Sequence, residues 1–320
     1  MDLQRHLTQN NHRRPTALVV GAAGFVGRHT CRALAASGCA VIGIGHGRWT
    51  AQEAAQYGID RWIEADITLE ALIGLDHLDT VDCVVHCAGS GAVSFSYSDP
   101  WQDFQRATVT TAAVLEWVRR REKPRPRLVV VSSAAVYGDQ GDTDSTETSI
   151  RSPISPYGFH KLAAESLCES ASRFFDVPVS IVRLFSVYGE GLRKQLLWDA
   201  MSKFSRGEDQ FFGTGHELRD WLHVDDAAKL LSAAALAPQS RFEIFNGANQ
   251  QATTAQVLQQ LAAVSFPSVS PHFNGETHTG NPRRLTANCD HACRLLAWAP
   301  QVDLAEGLRR YAEWFLRQRA

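Results

Sequence analysis

A short apolar run, Leu18-Val19-Val20, passes directly into Gly21-Ala22-Ala23-Gly24-Phe25-Val26-Gly27, and residues 28–37 then carry a helical pattern that stops at Gly38. A buried strand that turns through glycines into a helix N-terminus constrains everything around it. Backbone N–H groups and the helix dipole create an anion site there, and the missing Cβ atoms let a pyrophosphate come close to the chain. Three glycines alone describe any tight strand–helix corner. Here a second strand over 40–44 follows the helix, so the unit reads as a dinucleotide cradle with Gly21, Gly24, Phe25, Val26 and Gly27 as its contacts.

The alternation continues through the first half of the chain. Apolar runs at 61–66, 81–86, 128–132 and 179–183 are separated by helical stretches, the longest over 100–121 and 156–175. Strands that are apolar almost throughout predict a parallel sheet covered on both faces, hence an α/β, doubly wound, Rossmann-like fold. Beyond residue 186 the pattern loosens. Helices are expected over 194–206, 225–236, 254–263 and 304–317, with a short strand over 242–246 and turns around Gly213-Thr214-Gly215. The reading is a dinucleotide-binding domain over 16–185 and a smaller mixed substrate lobe over 186–320 that returns to the main sheet. The first fifteen residues, with Arg5, His6, His12, Arg13, Arg14 and Pro15, read as a polar flexible tail.

At 320 residues the chain can bury a substantial core, and a formal charge of −2 gives no sign of nucleic-acid or membrane-surface binding. It contains no apolar stretch of membrane-spanning length, and its start lacks the apolar run of a secretion signal, so a cytoplasmic protein is expected. The seven cysteines are Cys31, Cys39, Cys83, Cys87, Cys168, Cys289 and Cys293. Their odd number and placement in apolar segments predict reduced thiols. Cys289 and Cys293 can share a helical face, but nothing completes a metal site, and none is expected.

Tyr157 and Lys161 stand four residues apart in a helix entered through Pro156, which places both on one face. An ammonium beside a phenol lowers the phenol pKa towards working pH, as general acid–base chemistry requires. Such a pair is common on any helix, so its weight comes from its neighbours. The strand over 128–132 ends in Ser132-Ser133-Ala134-Ala135-Val136-Tyr137-Gly138, which puts hydroxyls at a carboxyl strand end, where open α/β sheets bind ligands. Ser133 is expected to orient a reacting oxygen, and Ser132 to be structural.

The G-x-x-G-x-x-G spacing, the S-x-x-V-Y-G stretch and the S-P-Y-x-x-x-K segment together resemble the extended short-chain dehydrogenase/reductase family, whose members act on nucleotide sugars. The resemblance covers residue 17 to the C-terminus. It implies a catalytic set of Ser133, Tyr157 and Lys161, with Lys161 also holding the nicotinamide ribose. It places Asp66 and Ile67 near the adenine and Ala88 and Gly89 under the cofactor. Residues 183–189 are similar to the family's R-x-x-N-V-Y-G segment, with Ser186 in place of the usual Asn. Residues 219–226 are similar to its R-D-[FYW]-x-x-V-x-D segment, in which the arginine, here Arg219, holds a nucleotide diphosphate. Arg283 and Arg284 are further phosphate candidates, or else solvated loop charges.

Two departures narrow the reaction. Dehydratases of this family carry Asp and Glu where this chain has Ala134 and Ala135, and a methyl group cannot protonate a leaving hydroxyl. After the second strand, Gly45 stands where an NAD-selective acid is expected, with His46 and Arg48 beside it. Loss of that acid favours NADP(H) over NAD(H), and NADP(H) suits a reductase that delivers hydride to C4 of a 4-keto-6-deoxy nucleotide sugar. The alternatives are a nucleotide-sugar 4-epimerase with tightly bound NAD, and a non-catalytic NADP(H) sensor. The resemblance also implies a homodimer through a four-helix bundle formed by the helices over 100–121 and 156–175. Val114, Leu115, Val118 and Leu162 fit either that interface or the monomer core. Gln195, Trp198, Phe211 and Phe212 are expected to line the sugar pocket.

Overall fold

The computed structural model describes residues 13–78, 80–238, 240–277 and 280–319. The chain lays down β1 (Thr16–Val20), β2 (Ala40–Gly45), β3 (Arg61–Glu64), β4 (Cys83–His86), β5 (Arg127–Ser133) and β6 (Val179–Leu184). It then leaves that sheet for β7 (Ser186–Tyr188), β8 (Gln210–Phe211) and β9 (Leu218–His223), and returns with β10 (Phe242–Gly247). It ends with β11 (Gln250–Thr253), β12 (His272–Phe273) and β13 (Arg284–Leu285). The main sheet has seven strands in the order β10-β6-β5-β4-β1-β2-β3, all parallel. The order reverses between β1 and β4, and this switch point opens a crevice at their carboxyl ends.

The helices are α1 (Phe25–Ala36), α2 (Ala51–Ala55), α3 (Leu69–Ile73), α4 (Val93–Ser98), α5 (Pro100–Phe104) and α6 (Thr110–Arg120). They continue with α7 (Pro156–Phe175), α8 (Gln195–Phe204), α9 (Val224–Leu236), α10 (Thr254–Ser265), α11 (Asp290–Leu296) and α12 (Leu304–Arg317). Strand side chains alternate between two cores. Leu18, Val20, Ile44, Val84 and Val130 pack with Val114, Leu115 and Val118 of α6 and Cys168 of α7. Val19, Val41, Val85 and Val129 face the other way, against Cys31 and Leu34 of α1 and Leu230 and Leu231 of α9. Val114, Leu115 and Val118 are therefore monomer core, and Leu162 packs against the cluster around Ala134 and Phe185. Among the described residues no helix is long and apolar enough to cross a membrane. All seven cysteines are free, four of them buried.

The expected helix over 100–121 is interrupted. A π turn over Gln105–Val109 separates α5 from α6. Thr110 and Thr111 hydroxyls donate to the Arg106 and Ala107 carbonyls, both at 2.6 Å, and so compete with the regular ladder at this point. The smaller sheet is centred on β9, with β11 antiparallel on one side and β7 and β13 parallel on the other. β8 and β12 form a separate parallel pair. β9 buries Arg219, Asp220 and His223, so its sequence has no apolar period from which to predict a strand.

Residues 1–12 of the expected tail, with Arg5, His6 and His12, lie outside the described residues. Arg13 grips Asp82 through two bonds of 2.7 and 2.9 Å, and Arg14 pairs with Asp60 at 3.3 Å. Charged groups also tie α1 to the later half of the chain. His29 Nδ1 lies 3.0 Å from Asp225, whose other oxygen accepts from Arg310 at 2.6 Å. Arg310 Nε donates to Glu190 at 2.9 Å, and Glu190 meets His223 Nε2 at 2.9 Å.

Candidate active site

The glycine turn has the shape that a pyrophosphate needs. Gly21 sits at φ +81°, and a Cβ there would come 2.6 Å from the Ala88 nitrogen. A Cβ on Gly27 would come 2.2 Å from the Gly21 carbonyl oxygen. Both positions therefore require glycine, and α1 and the loop after β4 close on the turn because side chains are absent. These two contacts are the test of fit for a dinucleotide, and the chain passes it. Gly24, Phe25, Val26 and Gly89 line one cavity of about 630 Å³ that continues to Tyr157, Lys161, Ser186 and Arg219.

α7 carries Tyr157 and Lys161, the pair expected to be catalytic. Ser155 caps the helix, its hydroxyl accepting from Gly158 N–H at 3.2 Å, and Pro156 occupies the first turn. Tyr157 is thereby fixed at the mouth of the helix and Lys161 one turn deeper, each less than a tenth exposed. The Ser133 hydroxyl accepts from the Ala135 N–H at 3.2 Å and lies near enough to the Tyr157 phenol to draw its pKa down. Lys161 Nζ donates to the Val131 carbonyl at 3.0 Å and packs against Gly89, whose Cβ position lies 3.3 Å away.

The expected acidification of the phenol by Lys161 does not appear in this arrangement. Burial pushes Tyr157 up to about 12, the Ser133 hydrogen bond opposes that, and the Asp103 charge adds to it. The Lys161 ammonium lies 6.0 Å from the Tyr157 ring centroid. Its own pKa is lowered by burial, against the pull of Asp103 and Glu165. Beneath the pair, burial and the Lys161 charge hold His86 down to about 3, and its Nε2 meets Thr111 at 3.1 Å.

Ser132 lines the cavity, but its hydroxyl is turned to a buried carboxylate. Its hydroxyl donates to Glu165 at 2.6 Å, and Arg183 grips both oxygens of Glu165 at 2.9 and 2.7 Å. Arg183 also reaches Tyr137 at 2.8 Å, and Tyr137 donates to Asn246 at 2.7 Å. This buried chain of polar groups braces the ends of β5, β6 and β10, and every link in it is paired. Ala134 lines the cavity as a methyl group. Among the described lining residues Glu217 is the single acid, and Thr214 and Thr254 occupy its oxygens at 2.9, 3.0 and 2.7 Å.

Arg219 enters the cavity from β9. It donates to Asn281 Oδ1, to the Pro282 carbonyl at 2.7 Å and to the Leu218 carbonyl at 2.8 Å. Burial lowers it to about 10, while Glu217 and Asp139 oppose the shift. It has no carboxylate partner among the described residues, so its charge remains for a ligand. Arg283 and Arg284 are spent elsewhere, on Asp142 at 2.8 Å and Asp144 at 2.5 Å, and neither lines the cavity. Gln195 and Phe212 do line it. Trp198 instead packs on Phe315 with centroids 5.0 Å apart, and Phe211 on Phe204 at 5.7 Å. Lys194 and Asn281 also line the cavity, and neither was anticipated. Lys194 directly precedes the expected Gln195, which was the only pointer to it.

At the end of β2 the expected pair of cations is not free. His46 Nδ1 lies 2.9 Å from Asp66 Oδ1, both largely exposed. A carboxylate therefore returns to this edge from β3 and offsets the histidine, leaving Arg48 as the exposed cation. Ile67 is buried in the core beside it.

Residues 17–247 match the NAD dependent epimerase/dehydratase family. The chain is 26% identical over 311 residues to a UDP-glucuronate 4-epimerase of Thermodesulfobacterium geofontis, covering 93% of this chain and 95% of that protein. It is 26% identical over 328 residues to a dTDP-glucose 4,6-dehydratase of Xanthomonas campestris pv. campestris, covering 94% and 93%. Its fold superposes with a TM-score of 0.84 on a Bacillus cereus UDP-glucuronic acid 4-epimerase in complex with UDP-glucuronic acid and NAD. That match is 25% identical in sequence and covers 95% of this chain and 99% of the other.

Proposed function

Because the chain belongs to the NAD dependent epimerase/dehydratase family, we propose that it interconverts UDP-linked sugars at C4 while keeping NAD bound. The observation that carries this reading is the single cavity, which joins the glycine turn to Tyr157 and Lys161, past Ser132 and Ala134 on either side of Ser133, and then to Arg219. The glycine turn would hold the pyrophosphate, Lys161 the nicotinamide ribose, and Arg219 the diphosphate of the sugar nucleotide. Bound NAD would supply a hydride acceptor that takes the hydride from C4 and can return it to the other face of the sugar.

Tyr157 takes the proton of the sugar 4-hydroxyl and later gives it back. Ser133 holds the same oxygen in line. Lys161, kept in place by the Val131 carbonyl, stabilises the phenolate while it exists. Dehydration is disfavoured because Ala134 lines the cavity as a methyl group and Glu217 is already occupied. The NADP(H)-dependent reductase expected from the sequence has less support. Asp66 offsets His46 where a 2′-phosphate would need bare cations, and the Bacillus cereus epimerase holds NAD.

The test uses purified protein with UDP-glucose or UDP-glucuronate and no added cofactor, followed by chromatography of the sugar nucleotides. The 4-epimer is expected, with NAD released on denaturation. Stoichiometric consumption of NADPH with a 4-keto-6-deoxy nucleotide sugar, and no epimer from either UDP-sugar, would restore the reductase. Assembly belongs to the same proposal. Trp101, Val109, Phe159, Leu167, Phe174 and Phe175, exposed by 37–68%, are the large apolar side chains that the 100–120 segment and α7 leave uncovered for a homodimer bundle. Light scattering at micromolar concentration checks this, and a monomeric mass rejects it.

A further inference from the structure

Lys194 is a cation of the cavity wall that none of the foregoing chemistry uses. It makes no hydrogen bond or ion pair among the described residues. Its position is fixed from two directions. The next residue, Gln195, stands at φ +66° and donates its side-chain amide to the Gly91 carbonyl. A Cβ on Gly91 would lie 3.5 Å from Lys194 Nζ, so a larger side chain there would compete for the space the ammonium fills. Gly91 is two residues past Gly89, against which Lys161 packs. Lys194 thus belongs to the wall shared with the catalytic pair, whereas Arg219 is held by Asn281 and Pro282.

Charge on this wall is one-sided. Burial lowers the pKa of Lys194, and the neighbouring Arg106 lowers it further. The nearby acid Asp103 is taken by His160 at 2.6 Å, and Glu217 by its threonines. A neutral hexose offers such an ammonium only hydroxyl oxygens. A carboxylate on the sugar ring offers it an opposite charge, and charge-assisted hydrogen bonds are about twice as strong as neutral ones.

We propose that Lys194 is a specificity-determining residue that selects nucleotide sugars bearing a carboxylate on the hexose, hexuronic acids, over neutral hexoses. The proposal rests on the UDP-sugar reading above. The substrate diphosphate is the other anion within the same molecule, and the experiment separates the two. NAD-loaded wild type, Lys194→Met and Lys194→Arg are compared for kcat/KM with UDP-glucuronate and UDP-glucose, and for calorimetric binding of both sugars and of UDP.

Wild type is expected to favour UDP-glucuronate. Lys194→Met should lose about ten- to a hundredfold on UDP-glucuronate and stay within about twofold on UDP-glucose and UDP, with Lys194→Arg retaining the preference. Equal losses on both sugars and on UDP would assign Lys194 to the diphosphate and overturn the proposal. An unchanged preference in Lys194→Met would also overturn it, as would a wild type that binds UDP and treats the two sugars alike. Failure of the wild type to bind UDP or either sugar would instead remove the underlying reading, and this one with it.

Discussion

The two walls of the cavity recognise their ligands by different means. On the β1–α1 side the work is done by backbone, through two glycines whose missing Cβ atoms leave the turn open and the helix close. On the β9 side it is done by side chains, and what each can bind depends on which charges the rest of the chain has already taken. Arg283 and Arg284 are further phosphate candidates in the sequence, yet Asp142 and Asp144 occupy them while Arg219 stays available. A site formed from backbone is written locally. A site formed from charged side chains is decided by partners from elsewhere in the chain.

The sharpest way to break this contrast is to add one methyl group to the backbone wall. Gly27→Ala forces a carbon against the Gly21 carbonyl, where the space is 2.2 Å. Overpacking of this kind costs about 1–3 kcal/mol, and here it also moves the phosphate site, so the variant should purify without NAD. Retained NAD, measured by absorbance after denaturation, would show that the turn tolerates side chains. Arg219→Met should come next. Removal of a charged hydrogen-bonding group costs about 1.5–3 kcal/mol, so KM for the sugar nucleotide should rise roughly tenfold or more while kcat changes little. A fall in kcat at constant KM would place Arg219 in the chemistry instead.

A smaller effect is expected at the charged seam between α1, the end of β9 and α12. Glu190 is held down to about 2: burial works against this, but the hydrogen bond from His223 and the Arg310 charge prevail. Asp225 also lies well below the usual range, for although burial opposes it, His29 and Arg310 donate to it. Lowered carboxylate pKa values stabilise the fold above the ordinary value of 4.5, and that stability drains away as pH falls from there towards 2. Arg310→Met should lower the melting temperature at pH 7 by a few degrees, about 1–2 kcal/mol, and flatten the decline below pH 4.5. Parallel melting curves for the two proteins would show that the seam contributes nothing. The smallest effect belongs to Arg48→Ala, which on the NAD reading should change NAD retention by less than about twofold.

The same contrast explains how far the sequence could be read. The parallel sheet, the glycine turn and the Tyr157–Lys161 helix were legible because each is encoded in one contiguous stretch: an apolar run, a glycine spacing, a proline-led helix start. The strand β9 was not, since it buries Arg219, Asp220 and His223 alongside Trp221 and Leu222, and the polar partners come from sequence positions far away. Asp220, for example, accepts from the backbone of Asn249 and Ala287. The β2 loop was only partly legible for the same reason. His46 and Arg48 read as a cation pair, but Asp66, just past the end of β3, pairs with His46. Helical spacing likewise places Lys161 on the right face but says nothing about the burial that pushes the Tyr157 phenol up.

The return of β10 to the edge of the main sheet bears on how such a protein can be altered. Leu230 and Leu231 of α9 and Phe245 of β10 share one core with Val19 and Leu34, so the later half of the chain roofs the earlier half's own sheet. A graft cut at residue 185 would strip away that roof and leave β6 as a bare edge. New sugar preferences in this scaffold are thus reached by changing single side chains on the cavity wall, and not by exchanging one lobe for another.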